Sequence, residues 1–543
     1  MQVLFRQLQN LLGGQNGEIK CVDSEELLYI DATNLYGKSL SSLLPYRGYK
    51  KVLSSFIEEL NNILLIDSQT DKISLLEEYL PDDGARGFAF DIEIINVPEN
   101  LHEFPPFFAH MKTSPLHLSA YDLTQYESLY KTSFSGSKTT TLLPILDHYD
   151  SYFTHYRMMK EAVKLGVNIK ILDGIVFDQK YLFKDYLETL SKLRSATTNP
   201  VYNQALKLQS NSLFGKTLQN PLTYATDYHF YQSDDMEKNL NKIGSKIKER
   251  NFKNPPFLFQ DIKILDEDFI MTQTQRLQVD ASNCPLIAFC ILELAKLRNL
   301  TFFYKMKKVS PSTKLIYSDT DSFVLACSKT WFSEIREIKE EFDFFNSSEY
   351  LKRRLGWTED DFISAKGQLG RYKLEIKPDS ILVGFIAMQK KAYCLLILKE
   401  QDCIICKPVY KECKCGSKKM YRLQEESTAK RLDVKQLEFR SYLEALLTDN
   451  IQLQNKRKFE QKDKNLFLVH KRYKGLNSFD VSNFTKNCGI HNIPFSNKNL
   501  SKFMCNDNFC KNLKEFTLNM LLKFLCDSTE KLFFFSNGKL CIM

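Results

Sequence analysis

Nowhere does the 543-residue chain carry an apolar run long enough to cross a bilayer. Its strongest apolar stretch, Pro285 to Leu292, is cut off by Glu293. The first residues, Met1 to Gly14, hold Arg6 and three glutamines and lack the apolar core and small-residue cleavage site of a secretory leader. There is no internal repeat and no long low-complexity tract, which excludes solenoids and fibrous arrays. Cysteine is present, with 14 residues, but Cys284, Cys290, Cys327 and Cys394 stand isolated in apolar segments, where a thiol behaves as a small hydrophobe. These absences lead us to expect a soluble, intracellular protein with no membrane attachment, in the nucleus or cytoplasm of a host cell.

What is present is enough apolar matter for a core: 43% hydrophobic and 13% aromatic residues. The length exceeds what one core normally organises, so several subdomains are expected. Net charge is only +8, from 74 basic and 66 acidic residues, but the basic ones gather late in the chain. Lys418-Lys419, Lys430-Arg431, Lys456-Arg457-Lys458 and Lys471-Arg472-Tyr473-Lys474 form a series that suits either a solvated surface or a polyanion.

The most informative stretch is Tyr317-Ser318-Asp319-Thr320-Asp321-Ser322. Leu315-Ile316-Tyr317 runs in and Phe323-Val324-Leu325 runs out, both β-prone, around small polar residues that favour a tight turn. Two carboxylates one residue apart repel each other, and a divalent cation is the usual means of keeping both ionised. By itself such a segment reads first as a solvated Ser/Asp/Thr turn, and only the rest of the chain can overturn that. Asp31 ends a second apolar strand, Leu27-Leu28-Tyr29-Ile30, and is followed by Ala32-Thr33-Asn34-Leu35-Tyr36. If the two strands are neighbours, three carboxylates converge as in a two-metal phosphoryl-transfer site.

The pattern further predicts a turn and short helix over Asn34–Leu44 stopped by Pro45, and a strand over Gly87–Ile95. It predicts two long helices between Asp150 and about Leu218 forming a hairpin, with breaks at Gly166 and Asn199-Pro200. A polar, irregular stretch follows over 220–283, then an apolar helix over Pro285–Met306, then basic helical sequence from Tyr393 to about 480. On the second predicted helix Lys207 and Asn211 share a face, Gly215 lets something planar approach, and Arg194 precedes them, so that two cations could straddle a triphosphate. An ordinary amphipathic helix capped by a glycine reads the same way.

In this order the stretches Asp31–Tyr36, Lys207–Gly215 and Tyr317–Ser322 resemble motifs A, B and C of family B DNA polymerases, above all the protein-primed branch of viruses, linear plasmids and polinton-type elements. Lys391-Ala392-Tyr393 is similar to that family's lysine-x-tyrosine motif, and Gly13-Gly14 to its interdomain glycine pair. Pro98-Glu99-Asn100-Leu101-His102, His155-Tyr156-Arg157 and Tyr473-Lys474-Gly475-Leu476 extend the likeness. The resemblance implies an α+β right hand: an antiparallel palm sheet, helical fingers and a helical thumb. Its divisions would be palm over 1–145, fingers 146–219, an insertion of the protein-primed type 220–284, palm again 285–395, thumb 396–500 and a tail 501–543.

The resemblance also implies roles. Asp31 and Asp319 would ligate two Mg2+ ions, for which Mn2+ can substitute, with Asp321 as the weaker ligand. Tyr36 would exclude ribonucleotides, Arg194 and Lys207 grip the triphosphate, and Asn211 and Gly215 line the new base pair. Lys391, Tyr393 and Thr320 would meet the primer. Partners would be template-primer DNA, deoxynucleoside triphosphates and a terminal priming protein, acting on a monomer.

Phe214 departs from the tyrosine common in motif B. Asp91-Ile92-Glu93 has the form of an exonuclease acid pair, but it follows motif A and is read as a palm strand. An exonuclease domain is not expected, which suggests either a fragment or a minimal enzyme. Cys403, Cys406, Cys413 and Cys415 have spacing that suits Zn2+ or a cluster of reduced thiols. Two other readings compete with a polymerase. One is a truncated, non-catalytic DNA-binding remnant; the other is a reverse transcriptase, whose hairpin carries adjacent aspartates rather than a pair split by threonine.

Overall fold

The computed structural model describes residues 26–401 almost throughout, except that within 219–283 it describes chiefly three strands. Beyond 401 it describes 420–429, 453–462, 465–474 and a few shorter pieces. Gly13-Gly14, Lys430-Arg431 and the four cysteines from Cys403 to Cys415 lie outside the described residues. Among the described residues no helix is long and apolar enough to cross a membrane.

Strand β1 (Glu26–Ala32) alternates, with Leu28, Ile30 and Ala32 buried on one face. A short helix, α1 (Leu35–Leu40), follows it. The chain then enters β2 (Leu43–Lys51), so the helix ends before Pro45 and the proline sits inside a strand. That strand lies at a sheet edge, where a missing N–H is tolerated.

The sheet beside it runs β2-β5-β3-β4, all antiparallel, with β3 (Arg86–Asn96), β4 (Tyr149–His155) and β5 (Asn168–Tyr181). The first long helix expected after Asp150 is therefore not formed. Its place is taken by β4, a nine-residue helix α2 (Tyr156–Lys164) and the 14-residue β5. The physical reason is legible in Ile169 and Ile171, buried at alternate positions among exposed Asn168, Lys170 and Leu172: a period of two, not 3.6. The helical hairpin exists one step later, as α3 (Lys184–Ala196) and α4 (Pro200–Thr217). Asn199 caps α4, accepting from the amides of Val201 and Tyr202, and Pro200 fills the first turn.

The 220–283 stretch, expected to be irregular, contains a three-stranded antiparallel sheet in the order β6 (Ala225–Phe230), β8 (Phe269–Arg276) and β7 (Phe257–Ile264). Next comes α5 (Pro285–Val309), 25 residues long, started by a proline and closed by Lys307-Lys308 against the helix dipole. It is the shared wall of the molecule: Leu300 joins the core of the β2-β5-β3-β4 sheet, and Phe302, Phe303 and Met306 join the core under β1. Glu293, which breaks its apolar run, is buried and accepts from Thr154 Oγ1 at 2.6 Å while pairing with Lys296.

The second four-stranded sheet, β9-β10-β1-β11, is assembled from β1 and three late strands, β9 (Lys314–Asp319), β10 (Ser322–Cys327) and β11 (Tyr372–Leu374). One face packs on α5. The other meets the hairpin β12 (Ser380–Gln389) and β13 (Ala392–Gln401) through Val324, Phe385, Leu395 and Ile397.

Beyond Tyr393 the described residues form mostly strands, with helical residues at Phe439, Ser441 and Tyr442, where helices and a helical thumb were expected. β13 pairs along its length with Met420–Ala429, and Met420–Arg422 pair with Leu532–Phe534 of the tail. Leu453–Lys462 and Asn465–Lys474 form a two-stranded antiparallel ribbon. Lysine and glutamate are good helix formers, but strand pairing overrides so weak a preference.

Candidate active site

The registers of the β9-β10-β1-β11 sheet line up four polar residues. Asp319 lies opposite Ser322, Ser322 opposite Asp31, and Asp31 opposite Lys373. Residues opposite one another share a face, so this is one row across four strands. Asp321 sits at the turn beside it, its carbonyl accepting from the Ala32 amide at 2.8 Å. The segments read as motifs A and C are therefore hydrogen-bonded neighbours, although 288 positions separate Asp31 from Asp319.

The acids are electrostatically strained. Burial, with the Asp321 carboxylate adding to it, pushes Asp31 up to about 7. Asp321 is raised by burial and by Asp319. Asp321 is thus the link that feels one acid and is felt by the other. Two lysines relieve the charge: Lys373 Nζ is 3.1 Å from Asp31 and 2.8 Å from Glu375, and Lys391 Nζ is 3.2 Å from Asp319.

The oxygen donors and their mutual repulsion fit a hard divalent cation. As arranged, however, no group of three such side chains among the described residues is drawn close enough to hold one. The row explains why, since Ser322 intervenes and leaves Asp319 and Asp31 two strand spacings apart, roughly 10 Å.

The turn itself is conformationally costly. Thr320 has φ of 62°, a left-handed value unusual for a β-branched residue and worth on the order of 1–3 kcal/mol of strain. The Asp321 amide donates to the Asp319 carbonyl at 2.7 Å, and the Ser322 hydroxyl to the same oxygen at 3.2 Å. From outside the hairpin, Asn299 Nδ2 of α5 donates to the Thr320 carbonyl at 2.7 Å.

α1 and α4 close one side. Asn34, left-handed at φ 47°, caps α1 by accepting from the Gly37 amide at 3.0 Å and donates to Ser210 Oγ at 2.6 Å. A Cβ on Gly37 would meet the Asn34 side chain and push that cap out of place. Tyr36 stacks on Phe214, centroids 4.4 Å apart and rings 5° from parallel. At 100° per residue Lys207 and Asn211 lie on the same side of α4 as Ser210 and Phe214. Both are exposed, and the Cβ position of Gly215 faces open space. Arg194 is half-buried, and desolvation lowers its pKa.

On the opposite side Tyr393 reaches Tyr29, their hydroxyls 3.2 Å apart, and the Lys391 amide donates to the Tyr317 hydroxyl at 3.1 Å. The structure thus brings Asp31, Asp319, Asp321, Thr320, Lys391 and Tyr393 together. It sets Tyr36 against α4, and no direct contact joins Lys207, Asn211 or Arg194 to the acids. Lys373, Glu375, Asn299 and Tyr372 were missed. The alternation of charge in Tyr372-Lys373-Leu374-Glu375 was the available signal for the first two. Asp91 and Glu93, by contrast, have ordinary partners: Ser151 donates to Asp91 at 2.8 Å, and His148 is 3.9 Å from Glu93.

The profile of the family described as DNA polymerase type B, organellar and viral, matches residues 91–283. The match bears out the resemblance to family B DNA polymerases. No curated protein matches at a significant level. Among solved structures, Phi29 DNA polymerase complexed with primer-template DNA and incoming nucleotides is 13% identical, with a TM-score of 0.44. Its binary complex with primer-template DNA is 12% identical, with a TM-score of 0.41. Each comparison covers 87% of this chain and 62% of the other, so the chain spans 62% of the length of those proteins. Likenesses this distant carry no residue correspondence, and nothing about the site rests on them.

Proposed function

We propose that the chain is a DNA-directed DNA polymerase that adds deoxynucleotides to a primer 3′-hydroxyl, replicating a viral or mobile-element genome with protein priming. The observation that carries the reading is the β1–β10 register, which sets Asp31 against Ser322 and so beside the Asp319-Thr320-Asp321 turn. The family B profile match supports it from another part of the chain, because residues 91–283 hold neither Asp31 nor the Asp319-Thr320-Asp321 turn.

In this reading the β9-β10-β1-β11 sheet is the palm, and α3 with α4 are the fingers. The three-stranded sheet within 220–284 is the insertion, and the ribbon of Leu453–Lys474 belongs to the thumb. That ribbon's register puts Lys456 opposite Lys471 and Arg457 opposite His470, so its sequence offers basic residues suited to phosphates without regard to base sequence.

Asp31, Asp319 and Asp321 are the residues to hold divalent ions. Such ions supply activation of the 3′-hydroxyl and neutralisation of the departing pyrophosphate. Lys373 and Lys391 keep the carboxylates compensated otherwise. Tyr36, fixed by its stack on Phe214, blocks a 2′-hydroxyl. Lys207 and Arg194 take the triphosphate, Asn211 and Gly215 border the new pair, and Lys391 with Tyr393 hold the primer end.

Primer extension with Mg2+, native chain against Asp319→Asn, tests the proposal. Extension by the native chain that is lost in the variant supports it. A native chain that binds DNA and extends nothing overturns it.

A further inference from the structure

We infer that Asn299 is a positioning residue that clamps the left-handed turn carrying Asp319 and Asp321, and so sets how well the site takes up a divalent ion. The inference rests on the polymerase reading for its consequence in catalysis.

Only two residues, Thr320 and Asp321, separate the paired Asp319 and Ser322, and two-residue hairpins need positive φ that glycine and asparagine supply readily. Threonine stands there instead, at φ 62°. The local bonds of the turn all end on Asp319: the Thr320 hydroxyl on its carboxylate at 3.2 Å, the Ser322 hydroxyl and the Asp321 amide on its carbonyl. The Thr320 carbonyl is held from α5, by Asn299 Nδ2 at 2.7 Å.

The amide cannot turn over freely, because a carbonyl only accepts and so must face the NH2 group, while Asn299 Oδ1 accepts from the Tyr372 hydroxyl at 2.8 Å. Asn299 is 6% exposed and Tyr372 fully buried, its ring 3.7 Å from that of Phe302 and 5.4 Å from the Arg298 guanidinium. Tyr372 pairs with Ala32 in the register that also sets Lys373 against Asp31. One buried pair, Asn299 and Tyr372, therefore ties the turn of Asp319 and Asp321 to the strand pair of Asp31. Groups that orient ligands from behind commonly govern affinity in this way.

The test is Mn2+ binding to the full DNA-free chain, read as loss of the free-ion electron paramagnetic resonance signal. Asn299→Leu, similar in shape but without either polar group, is expected to weaken binding roughly tenfold, with affinity for primer-template in the absence of metal unchanged. In a Thr320→Gly background, where the left-handed turn is free of strain, the same substitution is expected to cost less. Tyr372→Phe, which removes one oxygen, should weaken binding in the same direction by a smaller factor, and carries the test if Asn299→Leu does not fold.

Native-like Mn2+ affinity in the variant used overturns the inference. So does an undiminished loss from Asn299→Leu in the Thr320→Gly background, or a native chain that takes up no Mn2+. Failure of the native chain to extend a primer would overturn the polymerase reading alone, leaving the Mn2+ comparison standing.

Discussion

The two four-stranded sheets have the same antiparallel architecture and the same helix between them, yet they treat acidic residues in opposite ways. Around the β2-β5-β3-β4 sheet acids find neutral or cationic partners: Ser151 donates to Asp91, and Glu293 of α5 accepts from the Thr154 hydroxyl and pairs with Lys296. In the β9-β10-β1-β11 sheet the acids are set near one another, and burial with mutual repulsion raises Asp31 and Asp321. A satisfied carboxylate holds a fold together, whereas carboxylates raised by one another mark a place built for a cation or a proton. The contrast also separates Asp91-Ile92-Glu93 from the acids of the candidate site, which spacing alone does not.

Four substitutions would break or sharpen this contrast. The largest effect is expected at Asp319→Asn, which should lower primer extension by on the order of a thousandfold or more while DNA binding persists, read by steady-state extension and a binding assay. The opposite pattern is expected at Glu293→Gln. Glu293 is buried while Lys296 keeps partial access to water, so losing the acid should cost about 1–3 kcal/mol, and thermal unfolding should shift down while Mn2+ affinity of the folded fraction is unchanged. A change in Mn2+ affinity there would erase the distinction between the sheets.

A smaller effect is expected at Tyr36→Val, which removes the ring packed on Phe214. Discrimination against ribonucleotides should fall roughly tenfold to a hundredfold, measured as the ratio of kcat/KM for the two sugars.

The smallest concerns pH. Asp31 is raised from 3.8 to about 7 in the folded chain, so the folded state holds a proton that the unfolded state has released between those values. The contribution of Asp31 to the stability of the metal-free chain therefore falls as pH rises from about 4 towards 7. Asp31→Asn removes that dependence, and the variant should melt a few degrees higher than the native chain at pH 8 and much like it at pH 4, with roughly 1 °C per kcal/mol in a chain of this length. Equal melting at pH 8 would show that Lys373 fully compensates Asp31.

Much of the candidate site was legible because its chemistry is local in sequence. The hairpin flanks of Asp319-Thr320-Asp321, the strand ending in Asp31 and the 25-residue α5 all formed as their patterns indicate. Less was legible where a pattern had two readings. The chain from Asp150 to Tyr181 folds as strand, helix and strand because Ile169 and Ile171 alternate, a signal spanning too few residues to outweigh the helix-prone run of α2. The basic stretch after Tyr393 forms strands because its partners, as distant as Leu532–Phe534, cannot be seen from local composition.

The sequence by itself determined the kinds of donor at the site and their order along the chain, since acid, turn former and β-prone flank are properties of a few adjacent residues. Only the tertiary structure decided which acid meets which lysine, and that Asn299 and Tyr372, unremarkable in sequence, hold the turn in place. Those relations depend on register and on packing across hundreds of residues. A shift of one residue in the β1–β10 pairing would turn Asp31 to the other face and dissolve the row.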